Sequence, residues 1–264
     1  MFSELFKRLA GGTPQTSSED PYPPIAPDHR FYAVGDIHGR LDLLEELLTQ
    51  LDPDYPLVFV GDYIDRGENS AGVLRRLRTL ARDERRQVIC LLGNHEEMLL
   101  RFVDDPKRVG RLWLQNGGLQ TFASFGVTDV TEVTSGDGAV AAAESLSAAM
   151  GEDLLDWLRT RPLTWQCGNV IVAHAAMDPT VSVAEQDRRV LLWGRTALGE
   201  HRRQDGFWLV HGHTIVPEPG LQDGLISIDT GAFVTGQLTA AEISRGRVRF
   251  ITTGGSSTEY HKNN

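Results

Sequence analysis

Residues 31–39 read FYAVGDIHG and residues 57–67 read LVFVGDYIDRG. In both, a short apolar run ends in glycine and passes at once into Asp, His or Arg. The run is a strand signal and the glycine a turn, so the polar cluster falls just beyond the strand's carboxyl end. The same grammar recurs along the chain. VICLLG (88–93) leads to Asn94-His95-Glu96, NVIVAH (169–174) closes on His174, FWLVHG (207–212) leads to His213-Thr214, and LISID (225–229) is a further strand. Between these runs, leucines at helical spacing predict helices over 40–51 and 70–82, and further helices fit 95–103, 108–125 and 139–160. Apolar runs at 237–242 and 247–252 flank Arg245-Gly246 as a closing hairpin. Strands alternating with helices specify an α/β domain. The alternation lapses over 104–165, which reads as a helical insertion with a loop at 126–138.

In open α/β sheets, ligands bind in the crevice beyond the carboxyl ends of the strands. Asp36, His38, Asp62, Asp65, Asn94, His95, His174 and His213 all follow or close such runs, so they are expected to converge. One strand-end Asp or His is ordinary turn chemistry; five such clusters in order exceed what turns need. Crowded carboxylates raise one another's pKa, and cations relieve the repulsion. Imidazole, carboxylate and amide donors suit Mn, Fe or Zn better than Ca or Mg, and the absence of cysteine from these clusters disfavours a closed structural zinc site. Two divalent metal ions are expected, manganese first, with iron or zinc as alternatives. Asp36 and His38 are assigned to one ion, Asp62 to a bridge, and Asn94, His174 and His213 to the second.

The 264 residues, 41% hydrophobic and 23% charged, can bury a sizeable core. A formal net charge of −10 argues against a broad electrostatic grip on nucleic acid or an anionic membrane, so neither is an expected partner. The Arg-rich stretch RRLRTLARDERR (75–86) carries its own Asp83 and Glu84 and reads as a solvated helix face. The two cysteines, Cys90 and Cys167, sit in apolar runs and form no disulfide framework, which fits a reducing cytoplasm. No apolar run is long enough to span a bilayer. Residues 11–28 are rich in Pro, Gly, Ser and acid. Residues 1–28 are therefore expected to be a flexible leader and linker, 29–252 the folded domain, and 253–264 a flexible tail. Trp113, Trp157, Trp165 and Trp193 are expected in the core or the cleft wall, and WLQNGGLQTFASFG (113–126) as a segment closing over the site, with Gln115 or Asn116 touching substrate.

Together, GDIHG (35–39), GDYIDRG (61–67), LLGNHE (92–96), VAHAA (172–176) and HGHT (211–214) resemble the signature blocks of the phosphoprotein phosphatase branch of the calcineurin-like metallophosphoesterases. The later SIDTGAF and QLTAAEI resemble the end of small bacterial and bacteriophage lambda-type serine/threonine phosphatases, so the resemblance spans 31 to about 243. It implies a four-layer α/β/β/α sandwich, a central β-sandwich flanked by helices. It implies hydrolysis of phosphomonoesters on a phosphorylated protein or peptide by in-line attack of a metal-bridging hydroxide. Symmetrical dinucleoside tetraphosphate hydrolysis is the alternative activity, and an idle metal-binding scaffold the non-enzymatic one. By the same resemblance, His95 is the general acid and Asp65 fixes its tautomer. Arg66, Asn94 and, from LLWGR, Arg195 contact phosphate, and the ligand set Asp36, His38, Asp62, Asn94, His174 and His213 carries over. VAHAA stands where the family has His-Ala-Gly, altering backbone freedom after His174. His211 reads as a supporting or core histidine.

Overall fold

A computed structural model describes residues 22–195 and 203–261. Among them, eleven strands form two mixed sheets. The first runs β11 (Ser256–His261), β10 (Arg247–Thr252), β9 (Thr239–Ser244), β1 (Phe31–Val34), β2 (Leu57–Phe59) and β3 (Val88–Cys90), with β1, β2 and β3 parallel and the rest antiparallel. The second runs β4 (Thr164–Cys167), β5 (Val170–Ala173), β6 (Trp208–His211), β8 (Leu225–Ser227) and β7 (Gly220–Gln222), with β5, β6 and β8 parallel.

Strand periodicity decides which face each side chain takes. Phe31 and Ala33 of β1 point between the sheets, where they share one buried cluster with Val58, Phe250, Val172, Trp208 and Ile226. Tyr32 and Val34 point the other way and pack under α1 (Leu41–Gln50), α2 (Ser70–Arg82) and α3 (Asn94–Asp104) through Leu44, Leu47, Val73, Leu77 and Leu99. On the far side, Ile171, Ala173, Leu209 and Leu225 are covered by Met177 and by Leu191 of α8 (Arg188–Trp193). Each fully buried large apolar side chain contributes about 1.5–3 kcal/mol, so both sheet faces are strongly specified. The expected α/β/β/α sandwich is present.

The helical insertion comprises α4 (Pro106–Trp113), α5 (Leu119–Ser124), α6 (Gly136–Met150) and α7 (Glu152–Arg159). The single helix expected over 108–125 is broken by a π-turn at Leu114–Gly118, where Gly117 takes φ 102°. The insertion also ends earlier than expected, because β4 begins at Thr164. β4, β7 and β11 lie at or beside sheet edges and carry mixed polar residues, so none leaves the apolar run that marks a central strand.

Both expected domain boundaries shift outward. Residues 22–28 are not linker: Tyr22 is buried, packs edge-on against Trp208 at 5.0 Å, and donates its hydroxyl to Phe207 O at 2.5 Å. Trp208 Nε1 donates to Pro23 O at 2.9 Å, and Ala26 N donates to Asn169 Oδ1 at 2.7 Å. The prolines hold this segment extended, which suits it to lie along the second sheet. At the other end, β11 is hydrogen-bonded to β10 over 256–261, where a flexible tail was expected. Residues 1–21 and 262–264 lie outside the described residues. No helix among the described residues is long and apolar enough to cross a membrane. A short helix, α9 (Ala232–Thr235), follows β8 and sets Phe233 beside the strand ends.

Candidate metal centre and active site

All six parallel strands run out toward one crevice. β1 leads to Asp36 and His38, β2 to Asp62, Asp65 and Arg66, β3 to Asn94 and His95, β5 to His174, β6 to His213 and β8 to Asp229. The loops after β1 and β2 are laced together: Ile37 N and His38 N both donate to Asp62 O, at 3.0 and 2.9 Å, and Gly39 N donates to Tyr63 O at 2.8 Å. The crossing is so close that a Cβ at Gly67 would stand 2.0 Å from His38 O. A Cβ at Gly93 would fall 2.3 Å from both Asp62 N and Asp62 Oδ1, so glycine lets the start of α3 close on the β2 loop.

This lacing forces strained backbone. His38, Asp62, Asp65, Arg66 and His213 all have positive φ, between 45° and 71°. Each left-handed non-glycine residue costs about 1–2 kcal/mol. Buried Glu96 ties the loop down: its carboxyl group accepts from Asp62 N at 2.9 Å, Tyr63 N at 2.8 Å, Ile64 N at 3.3 Å and Gly93 N at 3.0 Å. Burial, with the Asp62 charge adding, lifts Glu96 to about 8, so these count as ordinary hydrogen bonds of about 0.5–1.5 kcal/mol each and offset part of the strain.

Two donor clusters share Asp62. His38, Asp62 and His95 form one and Asp62, His174 and His213 the other, with the donor atoms of each within 4.8 Å of one another. Asn94 Oδ1 stands 2.8 Å from His174 Nε2 and 2.9 Å from His213 Nδ1, inside the second cluster. His38 Nδ1 lies 2.8 Å from Ile64 O, which fixes the proton on Nδ1 and turns the Nε2 lone pair inward. Burial pushes His38 down to about 3 and His213 down to about 4, with neighbouring imidazoles adding to the effect, so both rings are neutral donors at pH 7.

The carboxylates need cations. Burial, then the charges of Asp229 and Asp62, raise the Asp36 pKa well above the usual range. Burial also lifts Asp229 to about 6, with the Asp62 charge adding and the Gly231 N–H opposing. Asp36 Oδ2 accepts from His213 N at 3.0 Å, but its buried Oδ1 meets no donor. Neutral imidazoles facing a shared carboxylate, beside an unpartnered carboxylate oxygen, fit a pair of divalent ions.

At the cleft edge, His95 Nδ1 lies 2.6 Å from Asp65 Oδ2 and its Nε2 lies 3.2 Å from Arg66 Nη2. Burial works against charge on His95, but the Asp62 and Asp65 carboxylates outweigh it and hold its pKa above the ordinary imidazole value. Asp65 is itself gripped by the insertion: Trp113 Nε1 donates to Oδ2 at 2.8 Å and Thr121 Oγ1 to Oδ1 at 2.6 Å. The Arg66 guanidinium stacks on Phe233, 4.7 Å from the ring centroid. Arg195 is exposed, and its positive charge adds to the lowering of the His213 pKa.

Asn116 Nδ2 donates to Leu112 O of its own helical segment at 2.7 Å, and Gln115 is exposed. His211 is buried on β6, within 2.8 Å of Ser227 Oγ, in the supporting position expected of it. Asp229, Glu96 and Phe233 line the site without a role expected from sequence, and Trp113 and Thr121, expected only as wall or covering segment, bond directly to Asp65. Asp229 was detectable, since it follows a strand as Asp36 and Asp62 do, and Glu96 stands where a helix-capping carboxylate belongs.

A two-sheet α/β sandwich whose parallel strands deliver Asp, Asn and His to one paired donor cluster defines a metallophosphoesterase. The chain belongs to the calcineurin-like phosphoesterase family, whose sequence model matches residues 29–217. It is 33% identical over 223 residues to serine/threonine-protein phosphatase 1 of Salmonella typhimurium, covering 80% of this chain and 91% of that protein. It is 29% identical over 240 residues to the asymmetrical bis(5′-nucleosyl)-tetraphosphatase PrpE of Oceanobacillus iheyensis, covering 78% of this chain and 86% of that one. The crystal structure of the cold-active protein-tyrosine phosphatase of a psychrophilic Shewanella shares the fold, with a TM-score of 0.58 at 18% identity over 94% of this chain and 88% of that one. The protein is thus a phosphoester hydrolase of a family that uses divalent metals.

Proposed function

We propose that the enzyme hydrolyses phosphomonoesters of proteins, phosphoserine and phosphothreonine first, with two divalent ions, manganese before iron or zinc. The observation that carries the reading is His95, set between the Asp65 carboxylate and the Arg66 guanidinium at the edge of the Asp62 cluster. A proton donor and a phosphate-holding cation therefore meet at one point. Asp36, His38 and Asp62 would hold one ion, and Asp62, Asn94, His174 and His213 the other. When bound, such a pair neutralises phosphoryl oxygens and supplies hydroxide at neutral pH.

The protein's own groups do the rest. Arg66, with its plane supported by Phe233, presents a rigid fork to phosphate oxygens, which a lysine would reproduce poorly. Arg195 would add a second cation for phosphate oxygens, and its charge is felt at His213. Asp65 holds the proton of His95 Nδ1; with Arg66 drawn off His95 Nε2 onto phosphate, that nitrogen would be free to carry the proton given to the departing alkoxide. A serine or threonine alkoxide is a poor leaving group, so the acid matters most for such substrates; general acids contribute about 10²–10⁴-fold.

Similarity to the Salmonella serine/threonine phosphatase supports the protein substrate, as does the complete Asp65-Arg66-Gly67 block. Similarity to the tetraphosphatase PrpE supports a second reading, hydrolysis of dinucleoside tetraphosphates. Two buried free thiols, Cys90 and Cys167, support a cytoplasmic setting. The test is a metal-reconstituted panel of phosphopeptides, diadenosine tetraphosphate and an aryl phosphate, with metal content measured on the same samples. The highest kcat/KM is expected on phosphopeptide; a higher value on the tetraphosphate would refute the protein-phosphatase reading.

A further inference from the structure

A groove of about 840 Å³ lies between α3, α4 and α8, lined by Glu97, Arg101, Leu112, Arg189, Val190 and Trp193 among others. Each of its three walls leads to the active site. Glu97 stands two residues beyond His95 on α3. The α4 wall continues into the π-turn, whose Gly117 O accepts from Arg66 N at 3.3 Å. The α8 wall ends at Trp193, two residues before Arg195. A substrate whose phosphate contacts Arg66 can extend its remainder over these walls.

The groove's carboxylates are already engaged. Glu97 accepts from Arg188 Nε at 3.0 Å and from Trp193 Nε1 at 2.8 Å, and Asp187 caps α8 by accepting from Arg189 N at 2.6 Å. Arg101 and Arg189 are exposed and form no ion pair with any described residue. Leu112, 51% exposed, adds an aliphatic surface. The lining sets three guanidinium groups, Arg101, Arg188 and Arg189, against Glu97 and Asp187, and that surplus of positive charge beside aliphatic side chains suits acidic and aliphatic side chains over the amino group of a base. The groove on the other side of Arg66 is lined by Asp42, Glu45 and Glu68 beside Arg40 and Arg66, and there Asp42 is paired with Arg40 and Glu45 with Arg76.

We infer that the groove between α3, α4 and α8 binds the polypeptide flanking the phosphorylated residue and selects a flank rich in Asp and Glu. The inference rests on the protein-phosphatase reading. Exposed guanidinium–carboxylate pairs contribute up to about 1 kcal/mol each. Two such contacts correspond to roughly a tenfold effect or somewhat more on kcat/KM, with salt sensitivity because they are exposed.

The test uses the full metal-loaded chain and an Arg101→Glu/Arg189→Glu variant, assayed on phosphothreonine peptides with acidic or lysine-rich flanks, an aryl phosphate and diadenosine tetraphosphate. The native enzyme is expected to favour the acidic peptide, and the variant to lose about tenfold on it through KM. The variant should gain on the lysine peptide and keep its aryl phosphate rate. Arg101→Gln/Arg189→Gln should move the same way by less, separating charge from folding. Equal native turnover of both peptides would overturn the groove assignment alone, as would variant losses confined to the tetraphosphate. Failure on every phosphopeptide with retained tetraphosphate hydrolysis would remove the protein-phosphatase reading and this inference with it.

Discussion

Trp113→Phe isolates the contribution of the helical insertion to the chemistry. Trp113 and Asp65 are both fully buried, and the indole N–H reaches Asp65 Oδ2 at 2.8 Å, on the same oxygen that faces His95 Nδ1 at 2.6 Å. Phenylalanine keeps an aromatic ring in contact with Phe102 and Phe122, whose centroids lie 5.1 and 5.2 Å from the indole, but it removes the donor. Losing a hydrogen bond to a charged acceptor costs about 1.5–3 kcal/mol, and the smaller ring adds a cavity penalty. If the same bond orients Asp65 toward His95, the deficit appears in the step that His95 assists, where 1.5–3 kcal/mol corresponds to roughly 10- to 150-fold. The assay is a leaving-group series, from alkyl phosphates to p-nitrophenyl phosphate, at saturating metal and well below the variant's Tm. Alkyl phosphates should fall by about that factor and p-nitrophenyl phosphate far less, because a good leaving group needs little protonation. Thr121→Val, which removes the donor to Asp65 Oδ1, should tilt the series in the same direction. An equal fall across the series, or no fall at all, would refute the positioning role.

Three shorter expectations follow from other parts of the molecule. Asp62→Asn should bring bound metal below two ions per chain by elemental analysis and abolish hydrolysis, because both donor clusters share that carboxylate; a fully loaded, active variant contradicts the bridge. Tyr22→Ala should lower unfolding free energy by about 3–5 kcal/mol in urea, as deletion of a buried aromatic does, without changing metal content. An unchanged midpoint would mean that residues 22–28 merely rest on the second sheet. Burial pushes the Cys90 thiol up to about 12 from an ordinary 9.0, so folding disfavours the thiolate. The stability tied to this group is therefore intact below about pH 9 and lost as pH rises toward 12. A thiol reagent at pH 8 should label neither Cys90 nor Cys167 until the protein is unfolded; rapid labelling of native protein would show that the thiols are accessible.

The legible part of this structure shared one physical signature. FYAVG, LVFVG and NVIVA are buried on both faces, so their strands stand out as continuous apolar runs, and the donors lie immediately past the chain reversals. That places Asp36, His38, Asp62, Asn94, His174 and His213 without knowledge of any contact. Trp113 and Thr121 leave no such trace. They lie 48 and 56 residues from Asp65, and only the packing of the insertion against α2 and α3 brings them there. Residues 22–28 were misread for a related reason: a proline-rich composition describes an extended chain equally well whether it is solvated or laid along a sheet. β11 was missed because its alternating Ser, Thr and Glu resemble a tail, and its pairing with β10 is fixed by register rather than by apolar content.

The backbone of the site also bears on how the metal cage is made. Five side chains at the proposed centre stand on positive-φ backbone, which costs about 1–2 kcal/mol for each residue. The contacts opposing that strain are hydrogen bonds within the protein: four backbone N–H groups on Glu96, two on Asp62 O, and the Gly39–Tyr63 bond. None of them uses an atom of the paired donor clusters. The loops that carry His38 and Asp62 are therefore held by the fold itself, whereas in the second cluster Asn94 Oδ1 bonds to His174 Nε2 and His213 Nδ1, contacts that a cation there would replace. Preorganised electrostatics of this kind lower a barrier without rearrangement at the moment of reaction. The same reasoning explains why the glycines are as informative as the ligands: Gly67 and Gly93 sit where a Cβ would strike His38 O or Asp62 N. An alanine at either position would part the two loops and misplace the donors without removing any of them.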